Sequence, residues 1–562
     1  MSSKLQLRFF LSWMVSVYML AASTTSQAAE MSLAQSPLFL GTQIPPNVFF
    51  MLDDSGSMDW ETLTVKYQYY TNYWSDGGVS VVDDGTFLGY ANSGKCTGRD
   101  LYYYIFEDST NNDNVYNSGF CQLEGSPQVA ERDWRIRNSD LNIMYYNPAA
   151  TYQPWYGFTD ANFSSARSNP QPGSDGYSEL NNLDGFQYEV WIDNLGYDDD
   201  GDGPDGRVRG PTSVVDGANG IVDLWDSRVS YTVTNSGVDL EYILTTEAGV
   251  DGGGNCNLSD SQNKTCFGTA PSGATTLNGS DEDAYGRTLA EIQQNVANWY
   301  QYHRRRSFVM KAAVARVMRI NTSFRFGLSL LNDYSTLFRE VPGELVLEED
   351  FAAHNDAIVA AMNAYEWQRR GTPLRQGLER VGRYYSDYYS SSYDDPIVSA
   401  CQQNYSVLFT DGYWSGSSPY TSPIADEDGD GASDTLADVA HYFYNTDLSP
   451  LPDDVPTSPA DQNEEQHMVS FTVAFGVEGN LEDTDDDSWP DDAGVQLEEN
   501  GAWNDGSVNT DAEKIDDLWH AAFNSKATFV SAQTTDGVAA AIGQALLEIS
   551  DRVGSAASVA TN

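Results

Sequence analysis

Histidine is scarce in this chain, five in 562 residues, and there is neither an H-E-x-x-H pair nor a G-x-S-x-G turn. Zinc-protease and serine-hydrolase chemistry therefore have no sequence support, and no enzymatic activity is expected. Basic residues are also few, 30 Lys and Arg against 82 Asp and Glu, for a formal net charge of −52. A chain so acidic is repelled by nucleic acid and anionic lipid, and divalent cations are the expected partners instead, the alternative being an acidic surface that only keeps the chain in solution. No segment reaches the roughly 20 apolar residues that a membrane span needs. The nearest, residues 9–22, follows Lys4 and Arg8 and precedes Ser26-Gln27-Ala28, the pattern of a secretory signal peptide over residues 1–28. The mature chain is thus expected to be exported. Its five cysteines allow two disulfides; Cys96 with Cys121 and Cys256 with Cys266 would close local loops, leaving Cys401 as a buried free thiol.

What is present centres on NVFFMLDDSGSM, residues 47–58. The unalternated apolar run at 48–52 is the pattern of a strand buried on both faces, as in a parallel sheet covered by helices. Asp53, Ser55 and Ser57 follow as D-x-S-x-S in the loop at the strand's carboxyl end, where open α/β sheets bind ligands. One carboxylate and two hydroxyls suit a hard divalent cation such as Mg²⁺ or Mn²⁺. The competing reading of the same residues is a Ser/Asp-rich helix cap.

Residues 59–284 are dense in Tyr, Trp, Asn, Gly, Ser and Asp, and three segments there read as strands: LYYYIF (101–106), FQYEVWI (186–192) and SYTVTN (230–235). A β-rich subdomain inserted after the first strand is expected. Within it Asp198, Asp200 and Asp202, followed by Gly203, match the first half of a calcium loop, but Arg209 stands where a bidentate Glu is needed. A second acidic turn at 216–223 could complete the ligand set, and a solvated turn is the alternative. Ser261 and Lys264 form S-x-x-K, and Gly94-Lys95 a fragment of a phosphate loop, but neither has its companion motifs.

From residue 285 the α/β pattern returns. Residues 289–320 carry apolar positions at helical spacing, with Arg304, Arg305, Arg306, Lys311, Arg316 and Arg319 expected on a solvated face paired with acidic loops, a docking face for a partner being the alternative. Gly371-Thr372-Pro373-Leu374 precedes a helix, and YSVLFT (405–410) is a strand ending at Asp411. HMVSFTVAFGV (467–477) reads as a further buried strand and 538–549 as a closing amphipathic helix. Asp426, Asp428, Asp430 and Asp434, with Gly431, follow calcium-loop positions 1, 3, 5, 9 and 6, although position 12 is Ala437 and Asp438 stands one residue late. Asp483, Asp485 and Asp487 repeat the spacing without the glycine and read as a solvated turn.

The motifs D-x-S-x-S, G-T-P-L and T-D-G, in that order, resemble the three segments of the metal-ion-dependent adhesion site of von Willebrand factor A domains. That resemblance implies a Rossmann-like A domain formed by residues 29–58 and 285–562, interrupted by the β-rich insertion at 59–284. Its ligand set would be Asp53, Ser55, Ser57, Thr372 and Asp411, with one position open to a partner's carboxylate. A longer resemblance, carried by DDSGSM, GTPLR, CQQNYSVLFTDGYW, DEDGDG with LADVAHYFY, and IDDLWHAAFNSKATFVSA, is to the amino-terminal part of the PilC/PilY family of type IV pilus tip proteins. It implies an exported adhesion and pilus-assembly module, passing from periplasm to cell surface, placed at the pilus tip by minor pilins and binding host or abiotic surfaces. Family members carry a β-propeller after this region, and roles that reside there are not carried over. The alternative is a calcium-stabilised extracellular scaffold whose adhesion site is vestigial.

Overall fold

Apolar runs buried on both sides require a sheet with helices on each face, and such a sheet lies at the centre of the computed structural model. The structure describes residues 44–63, 142–170, 180–192, 227–245, 281–343, 351–416, 424–481 and 510–559 apart from isolated positions, with short strand pieces between 67 and 267. Six strands form the central sheet: β1 (Asn47–Leu52), β2 (Arg325–Leu330), β3 (Phe338–Arg339), β4 (Asn404–Thr410), β5 (Met468–Phe475) and β6 (Phe529–Ala532). Their order is β3-β2-β1-β4-β5-β6, and all neighbours are parallel except β2 and β3. The chain builds outward from β1 to β2 and β3 on one side, then crosses to add β4, β5 and β6 on the other. The carboxyl end of β1 is therefore the topological switch point of a mostly parallel sheet.

Among the described residues, seven α-helices accompany these strands: α1 (Leu289–Tyr302), α2 (Arg306–Ile320), α3 (Ala352–Ala364), α4 (Leu374–Tyr385), α5 (Leu436–Tyr444), α6 (Asp511–Asn524) and α7 (Thr535–Val559). Alternate residues of β1 enter different cores, as the two-residue period of a strand dictates. Val48, Phe50 and Leu52 pack with Met310 of α2, Ile358 of α3 and Ile542 of α7. Phe49 and Met51 pack with Leu378 of α4, Val439 of α5 and Leu518 of α6. The result is a mixed α/β arrangement compatible with a Rossmann-like fold. Helix α4 comes unusually near the sheet and α5, since a Cβ on Gly377 would lie 2.3 Å from Leu331 and one on Gly382 2.3 Å from the Phe443 ring.

The helical pattern at 289–320 is two helices, not one. The chain breaks between α1 and α2, and Arg304, Arg305 and Arg306 are buried instead of lining a solvated face. Each finds a buried acidic partner: Arg304 on Glu61 at 2.9 Å, Arg305 on Asp59 at 2.5 Å and Arg306 on Asp411 at 2.7 Å. Fixing three consecutive guanidiniums on three separate carboxylates requires a departure from regular helix, and α2 starts afresh at Arg306. Beyond the break, α1 packs on an aromatic core containing Tyr146, Trp155, Phe186 and Tyr188. Asn295, Asn298 and Gln301, spaced three apart on α1, accept hydrogen bonds from the backbone N–H groups of Tyr152, Ala161 and Arg167 at 2.8 to 2.9 Å. These amides satisfy an irregular segment that has few backbone partners of its own.

Strands occur at each of the three segments expected before residue 284: Tyr102–Tyr104, Phe186–Ile192 and Ser227–Val233. The latter two belong to an antiparallel sheet completed by Val238–Thr245 and Thr265–Phe267. The signal peptide, Asp198, Asp200, Asp202, Asp483, Asp485, Asp487, Cys96 and Cys256 lie outside the described residues. Cys401 is free as expected but only half buried, with Sγ 3.4 Å from Ser399 Oγ. Among the described residues, no helix is long and apolar enough to cross a membrane.

Candidate functional site

The register of β1 against β4 assembles the first site. Leu52 pairs with Phe409, so the next residues, Asp53 and Thr410, leave the sheet side by side. The Asp53 N–H donates to the Phe409 carbonyl at 3.0 Å, and Thr410 Oγ1 donates to Asp53 Oδ2 at 2.7 Å. The other carboxylate oxygen accepts the Ser55 N–H at 2.7 Å, turning the loop back over the strand end. Ser55 Oγ and Ser57 Oγ then lie 2.9 Å apart, and Ser57 Oγ donates to Asp411 Oδ1 at 2.9 Å. Asp53, Ser55, Ser57 and Asp411, from loops 354 residues apart in the chain, are thus joined in one chain of oxygens, buried except at Ser57, which is half-buried.

Thr372 borders this cluster without joining its hydrogen bonds. The Gly56 N–H donates to the Arg370 carbonyl at 3.0 Å, which brings the 370–373 loop alongside the serine loop. Thr372 itself is held through its backbone, its N–H donating to Ser415 Oγ at 3.0 Å and its carbonyl accepting the Ser415 N–H at 2.8 Å.

Two buried carboxylates in one oxygen cluster are mutually repulsive. Burial, and then the charge of Asp411, push the Asp53 carboxyl up to about 8. A divalent cation among these oxygens would reverse both effects, and an all-oxygen donor set suits a hard ion. Asp411 has a second source of charge balance, because Arg306 donates to its Oδ2 at 2.7 Å. That guanidinium was assigned to a solvated face in the sequence, since linear spacing cannot reveal that α2 begins beneath the β4 loop. Asp54, adjacent to Asp53, serves a different purpose. It turns toward β2, where it accepts the N–H groups of Asn332 at 2.7 Å and Asp333 at 3.0 Å and the Tyr365 hydroxyl at 3.2 Å. This carboxylate closes the β2 loop against β1 and is not a candidate ligand.

The acidic loop ahead of α5 forms a second cluster. Asp426, Asp428 and Asp438 each bring an oxygen within 4.8 Å of the others, and so do Asp428, Asp430 and His520 with their ligand atoms. Asp438 therefore takes part despite its late position in the sequence. Its carboxylate also completes a capping box with Thr435 and accepts the Glu427 N–H at 2.7 Å. Asp434 is in neither group; it sits at φ 60° and its carbonyl accepts from Arg375 Nη1 at 2.7 Å. His520 was missed in the sequence. Its signal was the polar spacing Asp517, His520, Asn524 on the otherwise apolar inner face of α6. Asp517 accepts the N–H groups of Leu436 at 2.9 Å and Ala437 at 3.0 Å, anchoring the start of α5, and Asn524 Nδ2 donates to Asp428 Oδ2 at 2.6 Å.

Comparison with known proteins finds no matching family model. The chain is 23% identical over 584 residues to the type IV pilus biogenesis factor PilY1 of Pseudomonas aeruginosa strain UCBPP-PA14, a match that takes in 95% of this chain and 40% of that protein. The PilY1 proteins of strains PAO1 and PAK are 27% and 29% identical over 50% and 47% of the chain. The chain thus spans well under two thirds of the relatives it matches. Among solved structures, proximal thread matrix protein 1 of the mussel byssus matches at 10% identity over 43% of each chain within a point (42% of its own), with a TM-score of 0.22. The pilus adhesin SpaC of Lactobacillus rhamnosus GG matches at 11% identity over 70% of this chain and 42% of its own, with a TM-score of 0.23. Neither structural likeness is close enough to carry a fold argument.

Proposed function

We propose, for a chain that belongs to the PilC/PilY family, that it is an exported, non-enzymatic factor of type IV pilus biogenesis and adhesion whose A-type domain binds its partner through a divalent cation. The observation that carries the cation dependence is the oxygen cluster of Asp53, Ser55, Ser57 and Asp411 at the switch point, where burial and the charge of Asp411 raise the Asp53 carboxyl. When bound, Mg²⁺ or Mn²⁺ supplies an open coordination position for a carboxylate of the partner. Asp53 and Asp411 hold the ion, the two serine hydroxyls orient around it, and Thr372 stands at the rim. In this reading residues 29–58 and 285–562 form the adhesion domain, 59–284 is its insertion, and calcium at Asp426, Asp428 and Asp438 ties the loop before α5 to the domain. Minor pilins at the pilus tip and a host or abiotic surface are the partners.

One observation favours the scaffold alternative: Arg306 already gives Asp411 a buried counter-charge. A site balanced in this way has less need of an ion. Binding of Mn²⁺ to the purified chain, with surface attachment and piliation of cells carrying the same variants, separates the two. Asp53→Ala and Asp411→Ala are expected to abolish the share of Mn²⁺ binding that belongs to this site, and attachment with it. Unchanged attachment and piliation in both variants would leave only the scaffold.

A further inference from the structure

The acidic loop and α6 together hold a nitrogen ligand that a calcium loop does not use. We infer that Asp428, Asp430 and His520 form a separate site for a borderline divalent metal, Zn²⁺ or a similar imidazole-preferring ion. His520 Nε2 lies 3.1 Å from Asp428 Oδ2, and its Nδ1 lies 3.7 Å from Asp430 Oδ2. The Nε2 separation from Asp428 is close to the roughly 3.3 Å expected between two donors of a tetrahedral ion with bonds near 2.0 Å. The ring needs to offer only one nitrogen, and the three ligand atoms already lie within 4.8 Å of one another.

The independent sign of a missing ligand is Asp430. Its side chain is 3% exposed, Oδ1 accepts the Ala432 N–H at 2.8 Å, and Oδ2 is buried without accepting any hydrogen bond. A buried carboxylate oxygen facing an imidazole and two other acidic groups, with no donor assigned to it, is costly unless a cation completes it. The surrounding structure holds the set in place. Asn524 donates to Asp428 Oδ2 at 2.6 Å, one helical turn beyond His520, and the Asp430 N–H donates to Asp428 Oδ1 at 3.2 Å. Two carboxylates and one imidazole leave a coordination position for water, the pattern of an open zinc site, while a calcium ion prefers six to eight oxygens and gains nothing from nitrogen. The oxygen-only group of Asp426, Asp428 and Asp438 shares Asp428, so the two sites differ in their other members. This inference stands independently of the adhesion site.

The test uses the purified full chain stripped with chelator, titrated with Zn²⁺ and, separately, Ca²⁺, and read by calorimetry, with Co²⁺ as a visible probe of ligand type. Folding of each variant is verified by circular dichroism, and Asp53→Ala serves as background so that the adhesion site does not contribute. One equivalent of Zn²⁺ is expected, weakened more than about 100-fold by His520→Gln, beyond the loss typical of an outer-shell partner. Asp430→Asn should weaken it likewise, whereas Asp426→Asn should reduce Ca²⁺ binding and leave Zn²⁺ in place. Co²⁺ should give a low-coordinate absorption spectrum that His520→Gln abolishes. Zinc binding and a cobalt spectrum unchanged in folded His520→Gln and Asp430→Asn chains would overturn the assignment, as would the absence of zinc binding by the background chain.

Discussion

Asp53 is the residue on which the first site turns, and its titration has a definite sign. Its folded-state value, about 8, lies above the ordinary 3.8, so between those limits the ion-free folded chain binds more protons than the unfolded one. Its contribution to stability is present at low pH and is lost as pH rises through that window. Asp53→Asn, a neutral isostere, should therefore melt higher than the unmodified chain at pH 8 in chelator, with the gap closing toward pH 4. Thermal melts of both proteins across that range check this, and parallel curves would remove the burial account of Asp53. Arg306 makes the complementary case. Arg306→Met leaves the buried Asp411 without its guanidinium, a loss of roughly 3 to 5 kcal/mol for a broken buried pair. Saturating Mg²⁺ should return part of that stability in denaturant titrations, since an ion at Asp411 takes over the charge balance. Neither Asp54 nor His520 was identifiable from linear spacing as what it is. Asp54 shares the motif's acidic appearance but is claimed by Asn332 and Asp333 across β2, and His520 meets the acidic loop only because α6 docks on α5.

The elements explain why some of the architecture was readable beforehand. Buried parallel strands leave continuous apolar runs, so β1, β4 and β5 were apparent, as was the emergence of Asp53 and Asp411 at strand carboxyl ends, whereas the pairing of β1 with β4 was not. The break between α1 and α2 was not, because apolar spacing continues through it and what interrupts the helix is a set of pairings with Asp59, Glu61 and Asp411 from other parts of the chain. Long-range pairing leaves no local periodicity. The same holds for Asp517, which lies on α6 yet caps α5. Asp517→Ala would leave the Leu436 and Ala437 N–H groups and the Trp414 indole without their acceptor. A loss of about 2 kcal/mol is expected from removing such a cap, measured by urea unfolding, and an unchanged midpoint would contradict the anchoring role. Gly382→Ala should destabilise by about 1 to 3 kcal/mol in the same assay, because its methyl would overlap the Phe443 ring.

At the scale of the whole molecule, a net charge of −52 opposes compaction, and cations act on it in two separable ways. Monovalent salt screens all exposed carboxylates and raises stability without regard to position, with a screening length near 10 Å at about 0.1 M. A bound calcium ion adds a term that grows with free concentration, about 2.7 kcal/mol at 100 times its dissociation constant. For a cooperative unit of 150 to 250 residues, each kcal/mol moves the melting temperature by roughly 2 to 4 °C. The unmodified chain should therefore melt higher in CaCl₂ than in NaCl of equal ionic strength. An Asp426→Ala, Asp428→Ala double variant removes two of the three oxygens offered at the loop, so it should keep the sodium increment and lose the calcium one. If the double variant retained the full calcium increment, the stabilisation would arise from diffuse neutralisation of the acidic surface, and the loop before α5 would be a solvated turn.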